Sequence, residues 1–542
     1  MPLDSGAMLK PATVLATVLA LSVCGLTGPA HAQNHTEALG LMPEVGASPA
    51  ADVMPLAPDG VSKALATLPD LIADIMARSQ VPGLAVAVVH DGKTVFAQGY
   101  GVRELGRPEP VNADTVFQIA SLSKPITATI TATQVTAGVV GWDDKVQALL
   151  PDLHLSDPWV SAHATIGDFQ AHRSGLPHAA GDDLEDIGYD RAAILKRLAL
   201  LPLTPFRISY NYANFGTTIG GEAVAAAAKR PWEDLAEAAL YAPLGMSRTS
   251  SRHADFLKRA NRATLHVWED GRFQPLYARD PDAQSPAGGV SSSVTDLAAW
   301  LKLLLAGGRH EGREMMSSAA LVPMLRPEAF SGPTSSLDAR SGFYGYGFNV
   351  SVGANGRPLM SHSGAFVLGA ATHMQMLPSA DVAIVVLTNG GPVGAAEAIS
   401  AQFMDVVQYG ATTRDWYAAY HPRLMAYYEP EGDLAGKVAP AEAQPAMVLS
   451  NYVGTYDNAY FGPAQIVQEK DGLVMIVGPA AVRMPLRHWN ANTFAIAPSN
   501  ENAPAGSLSS VTFVQDEQQN GGRARAFTVQ YFDQYGQGTW TR

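Results

Sequence analysis

The sequence predicts an α/β protein of the α+β kind: an antiparallel sheet with flanking helices and an all-helical region, then a small C-terminal β-barrel. Three observations carry that expectation. Strand-like runs near residues 83–97 and 348–388 bracket a long stretch that reads as helix and loop. Strands gathered at both ends, with helices between, favour an antiparallel sheet packed on helices over alternating βαβ units. Beyond a Pro- and Ala-rich boundary, short β-rich runs separated by turns read as a small barrel.

The elements follow in order. Lys10, an apolar run over 12–24 and Ala30-His31-Ala32 read as a secretory signal with a cleavage site before Gln33. This predicts a periplasmic or secreted protein. The only cysteine, Cys24, lies inside that signal, so the mature chain has no disulfide and no thiol nucleophile. Leu21-Ser22-Val23 before Cys24 fits a lipid-anchor site poorly. An Ala-, Pro- and Gly-rich leader follows. Leu68, Leu71, Ile72 and Ile75 then recur at helical spacing. Two β-rich runs around Asp91-Gly92 predict a hairpin. Late strands are expected over 348–352, 371–376 and 382–388, and barrel strands near 452–456, 465–467, 473–477, 510–513 and 526–529. The expected organisation is a signal peptide (1–32), a flexible leader (33–60), a main domain (61–420), a linker (421–446) and a β-barrel domain (447–542).

Composition excludes several functions. Apolar residues make up 47% of the 542, enough for large cores. A formal net charge of −13 argues against a nucleic-acid binder, which needs a basic face. No segment after the signal is long and apolar enough to span a bilayer. His163, His172 and His178 are spaced irregularly and lack acidic neighbours at metal-ligand spacing, so they read as ordinary loop histidines. Asp182, Asp183, Glu185 and Asp186 form an acidic run, read as a solvated loop; its other reading is a docking site for a cationic substrate.

The chemistry centres on Ser121-Leu122-Ser123-Lys124-Pro125. Ser121 and Lys124, three apart at a helix start, share one face. Pro125 is tolerated only in a first helical turn, which fixes that start. A serine hydroxyl becomes a nucleophile when a neighbouring base takes its proton. A lysine can do so once burial makes it neutral. The Thr- and Ile-rich helix after Lys124 forms poorly alone and demands packing on most sides, which would keep the lysine dry. Tyr212-Ala213-Asn214 adds a phenol that can ionise or relay a proton and an amide that can hold the lysine or a substrate carbonyl. Tyr210 competes for the phenol role, though spacing favours Tyr212. His362-Ser363-Gly364-Ala365 lies on a late strand. There Gly364 permits close backbone approach, the N–H groups of Ser121 and Ala365 can form an oxyanion hole, and His362 can bind substrate or move a proton.

Ser-x-x-Lys, Tyr-x-Asn and His-x-Gly in this order resemble the penicillin-recognising serine hydrolases of the class C β-lactamase and D-peptidase type. His172-Arg173-Ser174-Gly175, Pro243-Leu244-Gly245-Met246 and Leu387-Thr388-Asn389 are similar to that family's flanking segments. The resemblance covers roughly residues 68–404. It implies Ser121 as the acyl-forming nucleophile, Lys124 with Tyr212 as the base system, Asn214, His362, Gly364 and Ala365 as substrate-binding, and no metal or organic cofactor. Many β-lactamases carry lysine at the position of His362, where its charge holds a substrate carboxylate. Histidine there looks more like the peptidase and esterase branches. The C-terminal part resembles the lipocalin-like barrel appended to some of those peptidases. The expected substrate is a short peptide carrying a D-residue at the cut; an esterase or β-lactamase-type hydrolase of the same fold and a penicillin-binding sensor without turnover are the alternatives. Oligomeric state is not legible in the sequence.

Overall fold

The computed structural model describes residues 54–542, apart from residues 335, 471 and 516–521. The expected signal peptide, Cys24 and the expected leader as far as residue 53 lie outside the described residues. The described residues form one compact unit.

An eight-stranded antiparallel sheet forms its centre. Its strands in chain order are Gly83–His90 (β1), Lys93–Gly101 (β2), Ala329–Gly332 (β3), Gly342–Tyr344 (β4), Asn349–Val352 (β5), Pro358–Phe366 (β6), Ala370–Leu377 (β7) and Val382–Thr388 (β8). Their spatial order is β2-β1-β8-β7-β6-β5-β4-β3. The expected hairpin is present: Asp91 (φ 51°) and Gly92 (φ 66°) turn the chain between β1 and β2, as a two-residue hairpin with both central residues left-handed requires.

The sheet is covered on both faces, which explains its nearly unbroken apolar strands. In β1, Leu84, Val86 and Val88 join one core; Ala85, Ala87 and Val89 join the other. Val382, Ile384 and Val386 of β8 repeat the split with Ala383, Val385 and Leu387. This is the period-2 alternation of a strand applied to two cores. The first core holds helix α1 (Gly60–Ser79), which buries Leu68, Ile72 and Ile75 at helical spacing. The second holds α2 (Ser123–Thr136), α3 (Asn214–Ala228) and α4 (Val294–Leu305). Helix α5 (Ala395–Tyr409) lies beside α1 in the first core.

Residues 421–425 were expected to be linker but complete helix α6 (Trp416–Met425), and 426–428 add a 3-10 turn. Pro422 does not break this helix. The segment from 429 to 446 has no helix or strand.

The C-terminal domain is a meander of eight antiparallel strands, from Gly454–Tyr456 to Thr539–Thr541, each paired with the next. A single bridge between Asp457 and Thr541 joins its two ends, so the barrel is nearly closed. Three of its strands were not expected: Val482–Asn490, Thr493–Ile496 and Thr539–Thr541. Its aromatic core, including Tyr456, Phe513, Phe527 and Trp540, belongs to the same buried cluster as α2 and α3. Among the described residues no helix is long and apolar enough to cross a membrane.

Candidate active site

Ser121 occupies a one-turn 3-10 helix, Ala120–Leu122, directly before α2. Ala120 has φ 48°, a left-handed conformation that costs a residue with a Cβ about 1–3 kcal/mol. The turn is held by its surroundings. Ser123 Oγ donates to Ala120 O at 2.7 Å and accepts from Val290 N at 3.0 Å, while Ile119 N donates to Val290 O at 3.0 Å. Pro125 falls in the first turn of α2, where its missing N–H costs nothing.

Every residue of α2 from Ser123 to Thr133 is buried. Its threonines satisfy their hydroxyls within the helix or against Pro286 O: Thr129 donates to Pro125 O, Thr131 to Thr127 O and Thr127 to Pro286 O. Packing on all sides overrides the weak helix preference and makes a dry seat for Lys124, which is 0% exposed.

In that seat Lys124 Nζ lies 3.0 Å from Ser121 Oγ, 2.7 Å from Asn214 Oδ1 and 3.1 Å from Ala287 O. Burial lowers its pKa to about 7, with Asp182 opposing the shift. A neutral amine has two N–H donors and one lone pair. The two oxygens of Asn214 and Ala287 cannot donate to it, so they take the N–H groups and leave the lone pair for the Ser121 hydroxyl.

Tyr212 and Asn214 are placed by the chain around His172. Asn211 N donates to His172 O, Ala213 N to His172 Nδ1, and the Tyr212 ring packs 4.5 Å from the His172 ring. Lys124 Nζ lies 4.5 Å from the centroid of the Tyr212 ring. Burial holds the Tyr212 phenol well above its ordinary pKa, although a hydrogen bond with Ser121 acts the other way. Tyr212 is therefore a neutral phenol, fitted to relay a proton rather than to stand as a phenolate. Tyr210 also borders the cavity, but its ring packs on His172 and Tyr344.

Opposite Ser121 runs β6. Strand β5 pairs it only from Pro358 to Ser361, so the edge beyond is open to the cleft. A Cβ on Gly364 would lie 2.3 Å from Ile119 O and 3.0 Å from Ser121 N, so only glycine lets this edge approach the nucleophile. His362, Ser363 and Ala365 line the same cavity as Ser121.

His362 differs from expectation. Its Nδ1 meets Ser363 O at 2.6 Å and its Nε2 meets Tyr344 Oη at 2.9 Å. A carbonyl only accepts, so Nδ1 carries the proton and Nε2 accepts from the phenol. Burial pushes the imidazole pKa down to about 3. The ring is neutral with both nitrogens engaged, which suits it to shape the wall rather than to move a proton or hold a carboxylate by charge.

The acidic run is also corrected: it is not a solvated loop. Asp182 is 8% exposed, and its Oδ2 accepts from Asn214 Nδ2 at 2.9 Å. Asp183 accepts from Tyr460 Oη at 2.9 Å, and Asp186 from Asn502 Nδ2 at 2.8 Å. Glu185 pairs with the buried Arg279 at 2.5 Å. Two residues from the barrel, Tyr460 and Asn502, thus cover the run. Glu501, also from the barrel, accepts from Val367 N at 2.7 Å and lines the cavity with Asn502. Sequence reasoning missed Tyr344, Arg279, Glu397 and Glu501 as cavity residues; none sits in a motif, and no local pattern marks them.

The cavity, about 560 Å³, brings together Ser121, Tyr212, Asn214, His362 and Ala365, with Lys124 buried behind the serine. Among the described residues no cluster of three or more His, Cys, Asp or Glu side chains is arranged to hold a metal ion.

A beta-lactamase family profile matches residues 68–408, more than half of the chain, and a domain of unknown function, DUF3471, matches residues 438–539. Penicillin-binding protein 4 of Amycolatopsis lactamdurans is 28% identical over 319 residues, 57% of this chain and 81% of that protein. The unguisins hydrolase of Aspergillus violaceofuscus is 24% identical over 426 residues, 72% of this chain and 74% of that protein. The solved structure of a class C beta-lactamase shares the fold with a TM-score of 0.53 at 20% identity, over 64% of this chain and 96% of that one. The matched span contains α2, α3 and the whole central sheet, and on that ground the chain belongs to the beta-lactamase family of penicillin-recognising serine hydrolases.

Proposed function

We propose that this protein is an exported serine peptidase that cleaves short peptides at or next to a D-residue through an acyl-enzyme on Ser121. The observation that carries the reading is the desolvated Lys124 amine 3.0 Å from the Ser121 hydroxyl. In the proposed cycle Ser121 Oγ attacks the carbonyl and its proton passes to Lys124. The N–H groups of Ser121 and Ala365 receive the developing oxyanion. Tyr212 delivers a proton to the departing amine and regains one from Lys124. Water then attacks the acyl-enzyme, releasing the acid and restoring the Ser121 hydroxyl.

Neutral His362 supports an amide or ester substrate over a carboxylate-anchored β-lactam, because the wall facing the nucleophile carries no cation from this residue. A linearised microcystin, cut after its D-alanine, is one peptide of the proposed class; that choice follows from the layout of the chain. The N-terminal sequence pattern is what supports export, and cell fractionation tests it.

The deciding experiment compares D-alanyl amides, their L-counterparts and p-nitrophenyl esters, with Ser121→Ala as control. Cleavage of the D-amides, with an acyl adduct on Ser121 by mass spectrometry, supports the peptidase. Ester cleavage without amide cleavage makes it an esterase. A stable penicillin adduct without turnover makes it a sensor.

A further inference from the structure

The cavity beside Ser121 is lined by four carboxyl groups, Asp182, Glu185, Glu397 and Glu501, and by one arginine, Arg279. Arg279 is already paired with Glu185. Three of these carboxyls keep an oxygen without a hydrogen-bond partner among the described residues: Asp182 Oδ1, Glu185 Oε1 and Glu397 Oε2. Buried acceptors left open in this way are costly unless a ligand or water completes them.

Glu397 stands apart from the other three. It sits in the first turn of α5 and is 5% exposed. Burial raises its pKa above the ordinary carboxylate range, opposed by its own backbone N–H and the Ser363 hydroxyl, and no lysine or arginine is among the groups that act on it. A carboxyl at a helix N-terminus stabilises the helix. That role accounts for one oxygen and leaves Oε2 open. Ser363, its partner, lies on β6 between His362 and Gly364, the residues that face the nucleophile.

The surroundings fit a cation. Tyr420, Leu424 and Tyr427 of α6 and the turn after it border the cavity with Glu397. Tyr427 is close enough to act electrostatically on both Tyr212 and Glu397, so it bridges the catalytic phenol and the open carboxyl. A carboxylate flanked by phenol rings attracts an ammonium group by charge and by the ring faces together.

We propose that Glu397, flanked by Tyr420 and Tyr427, binds a protonated amine of the substrate beside the bond that Ser121 cleaves. The inference rests on the peptidase reading and names a feature of its substrate. The amine is either the α-ammonium of a peptide N-terminus or a lysine side chain.

The test uses the whole chain and three p-nitroanilides: D-alanyl, N-acetyl-D-alanyl and N-acetyl-D-lysyl. The expected wild-type kcat/KM is about tenfold to a hundredfold higher for an amine-bearing substrate than for N-acetyl-D-alanyl, as a charge-assisted bond gives. Preference for D-alanyl identifies the α-ammonium; preference for N-acetyl-D-lysyl identifies the side chain. In Glu397→Gln the preference should collapse towards one, chiefly through KM. A wild type that treats the acetylated substrate as well as the free amines overturns the proposal, and so does a folded Glu397→Gln that keeps the preference. The wild-type comparison stands even if the variant misfolds. If no anilide is cleaved, the peptidase reading fails. Calorimetric binding of D-alaninamide and of N-acetyl-D-lysinamide, each against N-acetyl-D-alaninamide, to Ser121→Ala then decides the amine site by itself: tighter binding of either amine upholds it, and equal binding of all three overturns it.

Discussion

Asn214 donates its side-chain N–H to Asp182 at 2.9 Å, and this bond decides which end of its amide faces the catalytic centre. With Nδ2 so engaged, Oδ1 is left to accept from Lys124 at 2.7 Å. Turned the other way, the amide would set donors against donors. Asp182→Ala removes the constraint, and kcat should fall about tenfold to a hundredfold, the cost of a misplaced charge-assisted hydrogen bond. Asp182→Asn keeps an acceptor and should lose much less. Asp182 also raises the Lys124 pKa, so the acidic limb of the rate profile should move to lower pH in the alanine variant. Steady-state kinetics across pH read both effects.

Lys124 sets the pH dependence of both rate and stability. Only its neutral form accepts the serine proton, so activity should rise through pH of about 7 and be lost below it. His362, lowered to about 3, adds no limb near neutrality. For stability, the folded pKa of about 7 lies below the unfolded 10.5. The unfolded chain binds the extra proton between those values, so folding is penalised at low pH and relieved as pH rises. Between pH 7 and pH 11 the wild type should therefore gain on Lys124→Met by roughly 4 kcal/mol, the shift converted at about 1.4 kcal/mol per unit. Urea unfolding of both proteins across that range measures it. The variant should be inactive throughout.

Lys124 and its neighbours also show where the sequence is informative. Ser121, Lys124 and Pro125 are legible because helix geometry and proline's missing donor are local rules, and α2 begins where those rules require. The β1–β2 hairpin is legible for the same reason: Asp91 and Gly92 announce their own backbone angles. The acidic run is not legible. A run of four carboxyls reads as solvated until something covers it, and here the cover is Tyr460 and Asn502, 277 and 316 residues beyond their partners Asp183 and Asp186. Strand Val482–Asn490 hides in a similar way. Val482, Met484 and Leu486 alternate with Arg483, Pro485 and Arg487 as a half-buried strand should, but Pro485 reads as a strand breaker until its exposed position and its pairing with the preceding strand are seen. Glu397 and Glu501 enter the cavity through tertiary contacts that no motif records.

Glu501 ties the barrel to the mouth of the cleft. It accepts from Val367 N at 2.7 Å and from Leu368 N at 3.4 Å, just beyond the end of β6. Glu501→Ala leaves those donors without their acceptor and frees the loop over 497–508. The interface should lose about 1–3 kcal/mol. Hydrogen exchange of that loop and of Val367 should quicken, and KM should rise more than kcat falls. Unchanged exchange at both places would show that the loop is held by other contacts.

Gly364 offers the sharpest steric test. An alanine Cβ there would sit 2.3 Å from Ile119 O, 2.4 Å from Thr372 Oγ1 and 3.0 Å from Ser121 N. The threonine hydroxyl can rotate away, but the two backbone atoms cannot. Relief requires β6 to draw back from the turn that carries Ser121, which takes the Ala365 N–H away from the forming oxyanion. Overpacking of this kind costs about 1–3 kcal/mol of stability. The loss in acylation should be larger, about a hundredfold or more, because removing one oxyanion donor alone costs that much. Stopped-flow acylation against thermal unfolding separates the two. A Gly364→Ala protein with wild-type acylation would mean that this strand edge does not serve the reaction, and the oxyanion hole would have to be sought elsewhere around Ser121.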